Sequence, residues 1–248
     1  MLSIQNLSKK YANNIWGISD FSLQVFYGEI VCIAGPNGSG KTTIINCILD
    51  VIPTTSGVVL QNDLSNDKVE FKKNIAYVSD DILLIEQLTG NEYLNFILRM
   101  YEMKSYRKRD ALIELFNIKE PLNQCISTYS HGMKKKLQII SAFMIESKII
   151  ILDEPARGLD VESVISLKKL IKKYASEGGS VLLSSHDLIS AEFLCNRMCI
   201  IANGKKIVEG TPEELKINYD ANNLEEVFMK SSMLDERSKR IEEIINDF

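Results

Sequence analysis

Apolar positions recur along the chain at two spacings, and the change from one to the other marks out its elements. Ile30-Val31-Cys32-Ile33-Ala34, Ile149-Ile150-Ile151-Leu152 and Val181-Leu182-Leu183-Ser184 are short, nearly unbroken apolar runs. That is the pattern of strands buried on both faces of a parallel sheet. Ile75-Ala76-Tyr77-Val78 reads as a further strand. Helical patterns alternate with these runs, so the expected class is α/β with a mostly parallel sheet core. Residues 1–28 have another texture: Leu2 to Leu7 and Phe21 to Val25 alternate with period two and predict an antiparallel β part. Pro53-Thr54-Thr55-Ser56-Gly57-Val58-Val59-Leu60 reads as a turn entering another strand.

A middle block breaks the alternation. Thr89-Gly90-Asn91-Glu92 is a capping box opening a helix with Tyr93, Phe96, Ile97 and Met100 on one face. A second helix is expected around Ala111 to Phe116. A third runs from about Met133 to Glu146 and buries Leu137, Ile140 and Met144. Residues 82–146 are therefore expected as a helical subdomain inserted between sheet strands. Thr211-Pro212-Glu213-Glu214 is another capping box, with proline at the first helical position. Asp235 to Phe248 reads as a charged amphipathic helix, which divides the chain into a domain over residues 1–220 and a helical tail over 221–248.

Composition narrows the class. With 248 residues, 45% apolar and 25% charged, the chain has the proportions of a soluble globular protein. Its longest strongly apolar uncharged stretch, Leu137 to Ile145, is about half of the roughly 20 residues a spanning helix needs. Met1-Leu2-Ser3-Ile4-Gln5-Asn6 lacks the basic and apolar regions of a secretion signal, so the protein is expected to stay where it is made. Cys32, Cys47, Cys125, Cys195 and Cys199 form an odd set without a C-x-x-C pair, fitting reduced thiols in a core. Cys195 and Cys199 have the spacing to share a helix face, but two thiols alone make a poor zinc site. A net charge of −4 argues against a nucleic-acid partner, which calls for a basic patch.

Chemistry enters at Gly35-Pro36-Asn37-Gly38-Ser39-Gly40-Lys41-Thr42, which matches GxxxxGK(S/T) between a buried strand and a helix. The glycines let successive N–H groups converge on phosphate oxygens, and the helix aims its positive end at the same anion. Lys41 supplies a point charge for the β and γ phosphates and Thr42 a hydroxyl for magnesium. Ile149-Ile150-Ile151-Leu152-Asp153-Glu154 delivers two acids at the carboxyl end of a strand, where open α/β sheets place ligands. Asp153 fits a magnesium role, and Glu154 fits the base that polarises the attacking water.

With these residues the chain resembles the ATP-binding subunits of ABC transporters, almost end to end. Tyr129-Ser130-His131-Gly132-Met133 occupies the place of that family's signature, with Gly132 standing 21 residues before Asp153. Ser130 and Gly132 open a helix, a second anion site built from a hydroxyl, N–H groups and a dipole. The resemblance implies a P-loop NTPase of the ABC ATPase fold, with ATP and magnesium as cofactors. It implies that two subunits, two copies or a copy and a paralogue, meet head to tail, each signature closing on the partner's ATP. It extends the phosphate-binding run to Thr43, places His186 of Ser184-Ser185-His186-Asp187 at the γ phosphate and stacks Tyr11 on adenine. Asp160 of Gly158-Leu159-Asp160 becomes the acid of the loop that passes between subunits.

Two departures stand out. Where the family carries glutamine or glutamate after the strand at 75–78, this chain has Ser79-Asp80; Asp80 keeps oxygen acceptors for magnesium and water but has a shorter reach. His131 and Met133 replace the commoner glycine and glutamine. That form resembles the exporter branch of antimicrobial-peptide and drug efflux ATPases, as does Leu224-Glu225-Glu226-Val227-Phe228. The implied function is a transport motor at the cytoplasmic face of the membrane, peripheral to permease subunits on other chains. Those subunits would grip residues around 80–100, where Ile82, Leu83, Leu84 and Ile85 read equally as partner surface or core. The alternative is a soluble ABC ATPase such as an iron-sulfur assembly factor, whose signature follows the glycine-rich form. A non-hydrolysing adapter would need Lys41, Glu154 or His186 replaced, and all three stand.

Overall fold

The computed structural model describes residues 1–12, 14–103 and 105–232. The amphipathic helix expected over Asp235 to Phe248 lies outside the described residues. In chain order the strands and helices are β1 (Leu2–Lys10), β2 (Trp16–Val25), β3 (Ile30–Ala34), α1 (Lys41–Ile48), β4 (Ser56–Gln61), β5 (Leu64–Ser65), α2 (Val69–Lys73), β6 (Ile75–Val78), α3 (Gly90–Met100) and α4 (Arg107–Leu115). After two short 3-10 turns come α5 (His131–Phe143), β7 (Ile149–Asp153), α6 (Val161–Ser176), β8 (Ser180–Ser185), α7 (Leu188–Glu192), β9 (Arg197–Ala202), β10 (Lys205–Gly210), α8 (Pro212–Asn218) and α9 (Leu224–Ser231). The α/β class is as expected. The chain forms two compact units that interleave in sequence.

One unit contains Met1–Leu2, Val25–Glu29 and Leu60–Leu183. Here β7 lies between β6 and β8, and β6 pairs with β7 in parallel, Ile75 opposite Ile149 and Val78 opposite Leu152. Every residue of β7 is buried, which is why its sequence shows no alternation. Each large aliphatic side chain placed this way contributes about 1.5–3 kcal/mol. The helices α3, α4 and α5 belong to the same unit. Thr89 caps α3 in the expected box, accepting from the Glu92 amide at 3.2 Å while its own amide donates to Glu92 at 2.8 Å. Helix α5 buries Leu137, Ile140 and Phe143, and the Phe143 ring meets Tyr174 of α6 edge-on at 5.9 Å. It starts at His131, two residues before the expected Met133, because Ser130 is its cap.

The other unit contains Ser3–Gln24, Ile30–Val59 and the residues from Ser184 onward. There β3 pairs in parallel with β9, Val31 opposite Arg197 and Ala34 opposite Ile200. β10 follows β9 as an antiparallel neighbour, with a bulge between Lys206 and Val208. β1 lies between β2 and β4 in a second sheet. The period-two pattern of β1 and β2 breaks at Asn6 and Asp20, both left-handed, at φ 49° and 51°, and joined side chain to side chain at 2.9 Å. Asn and Asp tolerate that conformation better than other non-glycine residues. Thr211 and Glu214 form the second expected capping box, with Pro212 between them at the start of α8.

Two sequence expectations change. On α3 the buried residues are Gly90, Tyr93, Leu94 and Leu98, while Phe96 and Met100 are exposed. Cys195 and Cys199 share no helix: Cys195 follows α7 and Cys199 lies in β9. Burial pushes both thiols up to about 12, so neither is a thiolate near neutrality. Cys125 is the one exposed cysteine. Native protein at pH 8 is therefore expected to react at one thiol with Ellman's reagent and at all five after denaturation; fast reaction of several in the native state would contradict this burial.

Candidate functional site

The candidate residues fall in both units. In the unit containing β3, that strand ends in the loop Gly35 to Gly40, and α1 starts at Lys41. Gly40 has φ 109°, and a side chain there would press into Ile18 and lie 2.7 Å from the Gly17 carbonyl, so only glycine fits this turn. The Ser39 amide donates to the Pro36 carbonyl at 3.1 Å, which folds the loop back on itself. Lys41 is buried and its ammonium donates to the carbonyls of Gly35 at 2.7 Å and Pro36 at 3.3 Å. Those bonds hold the charge at the centre of the loop. Pro36, Asn37, Gly38 and Thr42 are exposed, and Thr43 is half-buried.

Two more candidates join this half. The Tyr11 hydroxyl lies 3.3 Å from the Thr43 hydroxyl, and the Lys9 ammonium sits 5.5 Å from the Tyr11 ring centroid. Tyr11 is 43% exposed, which leaves the side chain area for stacking beside the loop. His186 follows β8 and shares with Gly35 and Pro36 a cleft of about 370 Å³, lined also by Phe228 and Met229 of α9. Asp187 caps α7 by accepting from the Ser190 amide at 2.9 Å, and that cap fixes the backbone next to His186.

In the unit containing β7, Asp153 is buried at the end of that strand. Glu154 follows with φ 45°, a left-handed conformation that a glutamate adopts only when its surroundings enforce it, and that concentrates at functional sites. Asp80, after β6, is ion-paired with Arg157 at 2.8 Å. Its other carboxylate oxygen is buried without a hydrogen-bond partner among the described residues. Lys135 of α5 is fully buried and donates to the Ser79 carbonyl at 2.7 Å. Burial pulls its ammonium below the ordinary lysine range, against the opposing pull of Asp80 and Asp153. Burial also raises the Tyr77 phenol, and the charges of Asp153 and Asp80 raise it further.

Ser130 caps α5, accepting from the Met133 amide at 3.3 Å. A side chain at Gly132 would lie 2.9 Å from the Gly158 carbonyl, and one at Gly158 would press into the His131 ring. The signature thus packs directly on the loop after β7. Asp160, at the end of that loop, caps α6 through the Ser163 amide at 2.8 Å and pairs with Lys136 at 2.8 Å. The Lys136 bond, then the Ser163 amide, hold its carboxyl well below the usual range. Sequence reasoning missed Arg157 and Lys135. Lys135 stands inside a run of three lysines and Arg157 between Ala156 and Gly158, so only the small neighbours of the arginine offered a signal.

The residues fit the groups the family implies. Ser39 keeps a buried hydroxyl without a hydrogen-bond partner among the described residues, beside the lysine and the helix N-terminus that suit phosphate. Among the described residues no three His, Cys, Asp or Glu side chains cluster to hold a metal. Magnesium does not need such a cage, because it is held by one or two protein oxygens together with substrate phosphates and water. Thr42 carries a hydroxyl and Asp153 a carboxylate, each an oxygen of the kind magnesium takes.

Comparison with known proteins identifies the family. The family described as ABC transporter matches residues 18–157. The chain is 33% identical over 225 residues to ATP-binding cassette sub-family A member 2 of Rattus norvegicus, covering 88% of this chain and 9% of that protein. It thus spans under a tenth of that mammalian relative. It is 34% identical over 222 residues to the linearmycin resistance ATP-binding protein of Bacillus subtilis, covering 87% and 70%. To the lipopolysaccharide export system ATP-binding protein of Escherichia coli K12 it is 30% identical over 222 residues, covering 86% and 92%.

Among solved structures, an ATP-binding subunit of an ABC transporter superposes with TM-score 0.87 at 27% identity, covering 94% of this chain and 99% of that one. A cassette solved as a dimer in a post-hydrolysis state with ADP and Pi gives 0.77 at 27% identity, covering 85% and 98%. Fold and site together define an ATP-binding cassette ATPase. The chain belongs to the ABC transporter family.

Proposed function

We propose that this chain is the motor subunit of an ABC transporter. It binds Mg-ATP, closes on a second subunit head to tail, hydrolyses the nucleotide and so drives export through separate transmembrane subunits at the cytoplasmic face of the membrane. The observation that carries the reading is the phosphate loop with Lys41 anchored at its centre, in a chain that also keeps Asp153 and Glu154 at a strand end. Gly35 to Thr43 take the phosphates, with Tyr11 beside the base and His186 at the γ phosphate. Thr42 and Asp153 would hold magnesium, joined by Asp80, and Glu154 would orient the attacking water. Ser130, Gly132 and Asp160 serve the partner's nucleotide, a role supported by a structural relative that is itself a dimer with ADP and Pi.

Export is supported by the relatives named for linearmycin resistance and lipopolysaccharide export. The membrane partner is supported by the surface after β6. Leu83 is 73% exposed, Ile85, Phe96 and Met100 are exposed as well, and Ile82 and Leu84 are half-buried, so no residue of the apolar run at 82–85 is fully in the core. Exposed apolar side chains this close in sequence suit an interaction surface. Among the described residues no helix is long and apolar enough to cross a membrane.

Affinity capture of the tagged protein from detergent-solubilised membranes of its own cells tests this. The expected result is co-purification of a polytopic membrane protein, lost in the Leu83→Glu, Ile85→Glu double variant while ATP binding persists. Capture of soluble proteins alone would favour the non-transport alternative.

A further inference from the structure

Three successive lysines in the first turns of α5 have no part in the roles above, and each holds a different segment of its unit. The Lys134 ammonium donates to the Glu86 carboxylate at 2.5 Å. That of Lys135 donates to the Ser79 carbonyl at 2.7 Å, and that of Lys136 pairs with the Asp160 carboxylate at 2.8 Å. Consecutive helical residues point about 100° apart, so the run fans across more than half of the helix circumference. A lysine run on a solvated face would leave its ammonium groups in water. Here Lys135 is fully buried, and the side chains of Lys134 and Lys136 are 18% and 16% exposed.

Burial makes the arms directional. An ammonium group removed from water needs a fixed acceptor, so Lys135 keeps its hold on the Ser79 backbone. Gln138, one turn further along α5, donates to the Ser79 hydroxyl at 2.7 Å, doubling the attachment. Arg157 then bonds Asp80, which links the loop after β6 to the loop after β7. The contact of His131 with Gly158 fastens that second loop to the start of the same helix.

We propose that Lys134, Lys135 and Lys136 are positioning residues. They fasten the exposed run after β6, the Ser79-Asp80 backbone and the Asp160 loop to the helix that begins at the signature serine, so that these segments move with it. The catalytic consequence rests on the function proposed above, whereas the tethering does not. A shift of the exposed run, where the membrane subunits are expected to grip, is thereby passed to Asp80 and Asp160 through one helix.

Hydrogen exchange on the full chain, without nucleotide, tests the tethering in Lys134→Ala, Lys135→Met and Lys136→Ala. Each variant is expected to speed amide exchange by about tenfold in its own segment: residues 84–88, 79–81 and 158–163 respectively. Unchanged exchange in all three segments, or a uniform rise across α3, α4 and α5, overturns the proposal. If Lys135→Met does not fold, the two outer arms decide by the same criterion. In steady-state hydrolysis Lys135→Met is expected to lower kcat about tenfold with KM nearly unchanged, and Lys135→Arg to recover part of the loss. Absence of hydrolysis in the unaltered protein would count against the ATPase reading and leave the exchange pattern to judge the tethers.

Discussion

Replacing Lys41 by methionine weakens nucleotide binding by about ten- to a hundredfold, the loss expected when one charge-assisted hydrogen bond of about 1.5–3 kcal/mol is removed. Methionine keeps the length of the stem and its packing at the start of α1, but it carries no charge. The bonds from Lys41 to Gly35 and Pro36 hold the ammonium inside the loop, so in the proposed function its charge and the loop amides serve the same phosphates. Hydrolysis falls further than binding, because charge on the γ phosphate oxygens develops in the transition state. Titration with a fluorescent ATP analogue measures the affinity, and a thermal melt by circular dichroism separates lost binding from lost fold. Affinity equal to that of the unaltered protein would show that the loop is not the nucleotide site.

The second large effect belongs to Glu154. Glu154→Gln is expected to lower kcat by about 10²–10⁴, with the ATP concentration for half-saturation within a few fold of normal. Glutamine has the same shape and can occupy the same left-handed backbone position, φ 45°, so the strain there is unaltered. What disappears is a carboxylate able to take a proton from water. A colorimetric phosphate-release assay across ATP concentrations separates the two constants. An unchanged kcat would move the catalytic base elsewhere, with Asp80 as the next acid in the same unit.

Much of this was legible in the sequence because it is local. The five residues of β3, the five of β7 and both capping boxes are set by neighbours within four positions, and the phosphate loop by eight consecutive residues. The signature serine was legible as a cap because its partner, the Met133 amide, is three residues away. What escaped is non-local. Arg157 meets Asp80 across 77 residues, and Lys135 meets Ser79 across 56, distances at which a pattern of single residues carries no pairing information. The sequence presents Asp80 as a shortened substitute for glutamine, whereas the structure makes it also the acceptor of an arginine from another loop. On α3 the period located the helix but not its buried side, because Phe96 and Met100 are apolar residues that the fold leaves outside.

The central claim is that nucleotide closes two of these chains on each other. Light scattering on the Glu154→Gln variant, with and without saturating Mg-ATP, measures it directly. The expected result is the mass of one 28.1 kDa chain without nucleotide and twice that mass with it, the dimer dispersing when Lys41→Met is added. A single-chain mass at saturating Mg-ATP, with binding of the nucleotide demonstrated in the same sample, would contradict the head-to-tail account.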